Sequence, residues 1–406
     1  MIKLNVWLVI DPHDAIRAGE LIVSDPDAQG RLLGQFKYTP EYLASPNAFA
    51  LDPVNLPLQQ DVFDANRPHS GVHGVFEDSL PDDWGRRILV RQYNLGRNQQ
   101  RVPHLLRVLG GNAMGALRYS EGSATPQALP LIESRQLEKI ELLSRKFETD
   151  PLAVDEDMAL LFQAASSPGG ARPKALVHDE CRAYLAKFAS VKDTFDVVSL
   201  EVATMHLARR AGIVAAEVRC LPCGSRKILL VDRFDLGPIT QKRHHCISMQ
   251  SLLRADGYYN LAYADIAGIL RMISANPVED QRNLFKQMIF NILIGNTDDH
   301  LKNFSMLNDG EGWKLSPAYD LVPNIGLNSE HVLRIGLDNR VPDRQTLIKE
   351  AKRFGLKQAR AVEDELDALV DAVSTWHEVF NLFDVPEEDI LVIGRDIEHR
   401  LAKIKR

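Results

Sequence analysis

The stretch GNTDDHLKNF, residues 295–304, comes after the apolar run MIFNILI and sets two adjacent carboxylates, a histidine, a lysine and two asparagines within ten residues. A helix needs little more than a glycine and a polar residue to end, so this density of charge asks for a second reason. Enzymes that transfer phosphoryl groups place an Asp near the nucleophilic hydroxyl and, five positions on, an Asn that binds a metal ion. Asp298 and Asn303 have that D-x-x-x-x-N spacing, and Lys302 between them offers a cation for the transferring phosphate. The spacing alone is a weak signal. Helix-end or turn chemistry is the expectation for Asp299, and a satisfied core histidine is an alternative for His300.

The adjoining residues strengthen the reading. FSMLN-DGEG-WKLSPAYD reads as strand, tight turn and strand, with Asp309-Gly310 as the turn signal. It delivers Asp320 at the end of the second strand, 22 residues after Asp298, where a second acidic group would hold Mg²⁺ against nucleotide phosphates. Helix, acidic loop, hairpin and Asp form an ordered set that chance seldom reproduces, although Asp320 also suits a turn before Pro323.

Upstream, SSPGGARPK (166–174) has two glycines that let backbone N–H groups approach an anion. It lacks both G-x-x-x-x-G-K-[ST] and G-x-G-x-x-G, and taken alone it is a Pro/Gly turn. Lys187 sits mid-strand in YLAKFAS, where burial costs free energy unless an anion is near; the solvent face of the strand is the alternative. Glu201 on the next helix is the candidate partner of Lys187. KILLVDRFD reads as a buried strand ending in charge, where backbone groups can hold an adenine ring. Gly110, Gly111 and Gly115 in GGNAMGALRY fit a helix stop and a subsequent strand at least as well as a phosphate loop.

The 406-residue chain is long enough for two or three domains, with 45% apolar and 25% charged residues. A net charge of -7 and a pI of about 6.0 argue against a surface that grips nucleic acid or anionic lipid by itself. Four cysteines are too few for a secreted disulfide framework. Cys220-Leu-Pro-Cys223 has a metal-like spacing, and His244, His245 and Cys246 follow about a hairpin later; a zinc site needs such a second group to converge on the first, and a strand end and turn are the alternative. The N-terminal MIKLNVWLVIDPHD is a strand and not a signal peptide, and no run approaches the ~18 apolar residues of a membrane span. A cytoplasmic protein with no membrane partner is expected. TPQALPLIESRQ (125–136) is the candidate linker, and after about residue 247 the pattern turns mostly helical at 3–4 spacing. The expected organisation is a strand-rich N-terminal segment (1–125), a mixed α/β lobe (126–247) and a helical lobe (248–406).

With these pieces assembled, the chain resembles the HipA family, bacterial serine/threonine protein kinases found as toxins of type II toxin–antitoxin modules. The resemblance rests on FKYTPEYLASPNAFALDPVNLPLQQ, FEDSLPDDWGRRIL, SSPGGARPKA, LVDRF, GNTDDHLKNF and LSPAYDLVP, spread over nearly the whole chain. It implies an α+β, two-lobed, protein-kinase-like fold: a mixed α/β N-lobe with a β-rich N-terminal extension and an all-α C-terminal lobe. It implies ATP and Mg²⁺ as cofactors, Asp298 as catalytic base, and Asn303 and Asp320 as Mg²⁺ ligands. ATP contacts fall on Gly169, Gly170, Ala171, Arg172, Pro173, Lys174 and Lys187, on the hinge Asp232, Arg233 and Phe234, and on His300, Lys302 and Tyr319. Ser167, with Ser166 beside it, matches the serine that some members autophosphorylate to switch themselves off. The implied substrate is a Ser or Thr of a translation-related protein, such as an aminoacyl-tRNA synthetase, whose modification slows growth. The implied partner is a helix-turn-helix antitoxin through which operator DNA is mainly bound.

Departures from the family pattern are Pro168 and Pro173 in the loop and Asp232 where a Glu is common. Both bear on the autophosphorylation switch more than on ATP binding. Two other functions stay open: a small-molecule phosphotransferase of the aminoglycoside-kinase kind, and a catalytically silent co-repressor or scaffold.

Overall fold

A computed structural model describes residues 1–11, 13–152, 157–165, 172–180, 182–224, 226–237, 242–257, 259–326, 330–338 and 341–405. Ser166, Ser167, Gly169, Gly170 and Ala171 lie outside them. The chain forms two compact units. The first comprises Met1–Val191, Arg233–Arg254 and Leu307–Gly312; the second comprises Lys192–Asp232, Ala255–Met306 and Trp313–Arg406.

The first unit is built on an antiparallel sheet of β1 (Ile2–Asp11), β2 (Asp14–Val23), β3 (Gly34–Tyr38), β4 (Val62–Ala65) and β5 (Leu117–Ser120), in the order β4-β3-β2-β1-β5. Six successive residues of β1, Leu4 to Val9, are buried, as expected of a strand covered on both faces. The helices Asp83–Gln92 and Val102–Leu109 occupy the places their apolar spacing predicts. Gly110 ends the second helix with φ +55°, and a Cβ on Gly111 would stand 2.1 Å from the Gln127 carbonyl. Those glycines let the 125–136 segment lie close against the helix end, so the helix-stop reading holds. β6 (Ile132–Glu133) pairs in parallel with β7 (Lys174–His178), which pairs antiparallel with β8 (Ala183–Phe188). The helices Leu137–Thr149 and Met158–Ala165 lie between β6 and β7 in the chain.

In the second unit the helix Val197–Arg210 starts on Asp196, whose side chain accepts from the Ser199 N–H. It precedes an antiparallel hairpin of β9 (Val218–Cys223) and β10 (Arg226–Asp232). Cys220 and Cys223 thus both lie within one strand. The helices Tyr263–Ile273, Pro277–Ile294, Arg344–Glu350, Ala359–Val373, Trp376–Leu382 and Glu387–Lys405 make up most of the rest. The long apolar stretch from Gln345 to Phe383 is three helices, because Gly355 at φ +77° and the Ser374–Thr375 turn interrupt it. No helix among the described residues is long and apolar enough to cross a membrane.

Burial sets an acid sensitivity in the first unit. Burial, and then the Arg254 charge, pushes His73 down to about 4. Burial does the same to His245, also to about 4, against an opposing hydrogen bond to the Leu51 carbonyl. Each is protonated more readily in the unfolded chain, near 6.5, so its contribution is full above that pH and lost as pH falls toward 4. Asp52 works the other way, because burial raises it to about 6. Two histidines against one carboxylate leave a net loss of about 2 kcal/mol between pH 7 and pH 5. Urea unfolding at the two pH values should show that loss, and His245→Gln should remove about three quarters of the net pH dependence, because Asp52 offsets much of what His73 then contributes; equal stability at both would rule out the assignment.

Candidate active site

The helix Pro277–Ile294 opens with Pro277 at its first position and Glu279 and Asp280 in its first turn, and most of its second half is buried. It stops at Gly295, in the left-handed region at φ +72°. A Cβ there would stand 2.6 Å from Asp396 Oδ2 and 3.2 Å from Arg400 Nε, so only glycine satisfies both backbone and space. The loop beyond Gly295 is almost wholly buried: Asn296, Thr297, Asp299 and Asn303 are all inside. Asn296 Nδ2 donates to Asn291 Oδ1 at 3.1 Å, and Asn324 donates from its backbone to the Gly295 carbonyl and from its amide to the Thr297 hydroxyl.

Asp298 and Lys302 are exposed. The Asp298 side chain is 79% exposed, and His300 Nε2 lies 4.0 Å from its Oδ1. Its backbone carbonyl accepts from Asn303 Nδ2 at 2.9 Å, which closes the D-x-x-x-x-N turn and orients the Asn303 amide oxygen away from that carbonyl. The D-x-x-x-x-N pair is therefore joined by a hydrogen bond as well as by spacing.

Asp320 arrives differently from the expected strand end. β12 (Ser305–Asn308) and β13 (Trp313–Leu315) flank the Asp309-Gly310 turn, but β13 stops five residues before Asp320. The intervening chain is held by Ala318 N–H to the Val214 carbonyl and Ala216 N–H to the Ala318 carbonyl. Asp320 itself has φ +58°, a conformation that costs a residue with a Cβ on the order of 1 kcal/mol or more and that clusters at functional sites. Tyr319 ties this end to the loop: its hydroxyl donates to the Lys302 carbonyl at 2.7 Å and, having one proton, accepts from Ser305 at 2.8 Å. One hydroxyl thus links the neighbour of Asn303 to the neighbour of Asp320. An amide oxygen and a carboxylate are hard donors, which fit Mg²⁺ completed by phosphate and water oxygens.

Asp299 needs a correction. It is fully buried and serves no turn: Oδ2 accepts from Tyr263 Oη at 2.7 Å and His331 Nδ1 at 2.9 Å, and Oδ1 from Val332 N–H at 2.8 Å. Tyr263 is pushed well up by burial and by the Asp299 charge, so it stays a donor. Nothing local in the sequence shows that this carboxylate is buried, because its partners come from 36 residues upstream and 32 downstream.

In the first unit, Lys174 is the first residue of β7 and not part of the loop; it is buried and stands directly opposite Lys187 of β8. Residues directly opposite share a sheet face, so the two ammonium-bearing side chains stand on the same side of the β7–β8 pair. Lys187 is on the half-open face of β8, alternating with buried Tyr184, Ala186 and Phe188. Glu201 is buried on the helix Val197–Arg210 of the second unit.

At the hinge, Asp232 ends β10 and its N–H donates to the Glu217 carbonyl, while Arg233 N–H donates to the Ala183 carbonyl. Phe234 offers its carbonyl to His244 Nδ1 at 2.9 Å. Sequence reading missed Asp235, which Arg233 grips through Nε at 2.9 Å and Nη2 at 2.6 Å, both side chains being buried. Although burial would raise Asp235, the Arg233 charge and hydrogen bonds outweigh it and hold the carboxyl down to about 2. The R-x-D alternation, which puts both side chains on one face, was the available signal.

The HipA-like C-terminal domain matches residues 166–376, and the HipA N-terminal domain matches residues 13–120. The chain belongs to the HipA family. It is 28% identical over 389 residues to the putative kinase Y4mE of Sinorhizobium fredii, covering 85% of this chain and 89% of that one. It is 26% identical over 273 residues to the serine/threonine-protein kinase toxin HipA of Shewanella oneidensis, covering 60% and 61%. The structure of Shewanella HipA, from its complex with HipB and operator DNA, superposes with a TM-score of 0.67 at 18% identity over 98% of this chain and 96% of that one. The two-lobed HipA-like fold, with a mixed α/β lobe and a helix-rich lobe, is thereby established.

Two substitutions test the local constraints. Gly295→Ala should cost about 1–2 kcal/mol in urea unfolding, from the left-handed backbone and the displaced Asp396 carboxylate. Asp235→Asn should cost about 3–5 kcal/mol, since it leaves Arg233 buried without its counter-charge; a loss below about 1 kcal/mol would mean the pair is solvated.

Proposed function

We propose that this HipA-family protein is an ATP-dependent serine/threonine protein kinase with Asp298 as its catalytic base. The observation that carries this reading is the contrast within one loop: Asp298 is exposed while Asn296, Thr297, Asp299 and Asn303 around it are buried and hydrogen-bonded. Rigid support beneath a single presented carboxylate suits a group that must meet a substrate hydroxyl at hydrogen-bond distance.

In this reading Asp298 accepts the proton of a Ser or Thr hydroxyl as the hydroxyl oxygen attacks the γ-phosphorus of ATP, the bond from that phosphorus to the β–γ bridging oxygen breaks, and ADP leaves. Lys302 offsets charge on the transferring group, and the Tyr319 hydroxyl keeps the segments that carry Asn303 and Asp320 in register. Mg²⁺, held by those two residues, would neutralise charge on the nucleotide phosphates. Lys174 and Lys187, opposite each other in the β7–β8 pair, are assigned to the phosphates on the family resemblance. The remaining assignments rest on the family resemblance: Gly169 to Pro173 to the phosphates, the Asp232–Phe234 backbone to adenine, His300 beside the nucleotide, and Glu201 to Lys187. Autophosphorylation at Ser167, a translation-related substrate, the toxin role and a helix-turn-helix antitoxin partner are proposed on the same basis. The capture of the Shewanella relative with HipB and operator DNA supports the last.

The test is incubation with γ-labelled ATP and Mg²⁺, with phosphosites then mapped in expressing cells. Asp298→Asn should lower labelling by at least about 10²-fold, and Ser167→Ala should abolish the self-labelled site. Transfer to an aminoglycoside and not to protein would overturn the protein-kinase reading, and absence of any Asp298-dependent transfer would overturn both.

A further inference from the structure

Asp299 lies at the centre of a polar network that reaches into the chain after Asp320. Its carboxylate receives the imidazole of His331 at 2.9 Å and the Val332 N–H at 2.8 Å, with the Leu333 N–H at 3.4 Å. Val332 N–H also reaches the Thr297 carbonyl at 3.3 Å. The donors are thus consecutive residues of one segment, and the acceptor is the residue next to the proposed base.

The network continues behind both partners. Arg400 Nη1 donates to His331 Nε2 at 3.3 Å and to the Ile292 carbonyl at 3.2 Å, and its Nε holds Asp396 Oδ2 at 2.6 Å. Because a guanidinium only donates, His331 Nε2 accepts, and the imidazole proton is on Nδ1, directed at Asp299. On the other side Asn291 Nδ2 donates to Tyr263 Oη at 3.0 Å. His331 and Arg400 are buried as completely as Asp299. Beyond Leu333, Arg334 N–H donates to the Leu261 carbonyl at 3.0 Å and Tyr263 N–H to the Arg334 carbonyl at 3.2 Å.

Many protein kinases order the segment after their Mg²⁺-binding Asp by phosphorylating it, which creates an anion for arginines near the catalytic loop. Here the polarity is reversed. The anion belongs to the loop, and the donors belong to the segment.

We propose that Asp299 is a positioning residue that anchors the segment after Asp320 to the catalytic loop in the unmodified protein, so that ordering of this segment does not wait for phosphorylation. The catalytic consequence rests on the function proposed above; the anchor itself does not. Replacing one carboxylate oxygen by NH₂ turns an acceptor toward two donors, so Asp299→Asn breaks the anchor with almost no change of volume.

Hydrogen exchange on wild-type protein, shown by mass spectrometry to carry no phosphate in residues 321–343, should find the Val332 and Leu333 amides slowed by at least about 10²-fold against an unstructured chain. Asp299→Asn should release those two amides by about tenfold or more while the Pro277–Ile294 helix amides change by less than about threefold. Tyr263→Phe removes a donor to the same carboxylate from outside the segment and should leave Val332 and Leu333 protected. With γ-labelled ATP, Asp299→Asn should lower kcat by about tenfold or more and leave the KM for ATP within about threefold. Unprotected Val332 and Leu333 amides in the wild type, which needs no variant to fold, overturn the anchor. So does equal release by Asp299→Asn and Tyr263→Phe. Intact protection in a wild type that transfers no phosphate leaves the anchor standing and removes the kinase reading.

Discussion

A carboxylate with no access to solvent loses its hydration, a penalty of several kcal/mol that only well-placed donors offset. Asp299 is such a group, and the second unit is organised around supplying those donors. Tyr263 comes from one helix, His331 and the Val332 amide from the segment after Asp320. Asn291 and Arg400 then support Tyr263 and His331 from two further helices. The helix Pro277–Ile294 must stop at Gly295 for Arg400 and Asp396 to sit where they do. The backbone of the catalytic loop is fixed as a consequence, and Asp298 is left facing water. Adjacent residues of the same type thus perform opposite tasks, one holding the loop from inside and the other presented at its surface.

The Tyr319 hydroxyl works at shorter range. By donating to the Lys302 carbonyl it sets where the strained Asp320 backbone stands relative to the turn that Asn303 closes. Mg²⁺ held by both residues, as proposed above, would tolerate little change in that relation, since it demands near-octahedral geometry. Opposed like charges, Lys174 and Lys187, form a second kind of constraint in the first unit. Directly opposite like charges disfavour strand pairing, so this register is held by the surrounding sheet and not by the two side chains themselves.

Several features were legible in the sequence because they are local. The D-x-x-x-x-N spacing, the Asp309-Gly310 turn, the glycine helix stops and the apolar spacing of the helices each depend on residues a few positions apart, and each appears in the structure. The point at which β13 ends was misplaced, because the chain before Asp320 is held by Val214 and Ala216, a contact across about a hundred residues. Lys174 reads as a loop residue for a similar reason: pairing with Lys187, not local propensity, makes it the start of a strand.

By itself the sequence determined the helical and strand periods, the polar loop after a buried helix, and the family motifs, since these arise from side-chain chemistry and near-neighbour spacing. Only the tertiary structure decided which of two adjacent carboxylates is presented and which is buried. The D-x-x-x-x-N spacing singles out Asp298 but says nothing of which carboxylate is buried. Donors from distant segments converge on Asp299 alone, and the desolvation that they compensate makes the difference between them.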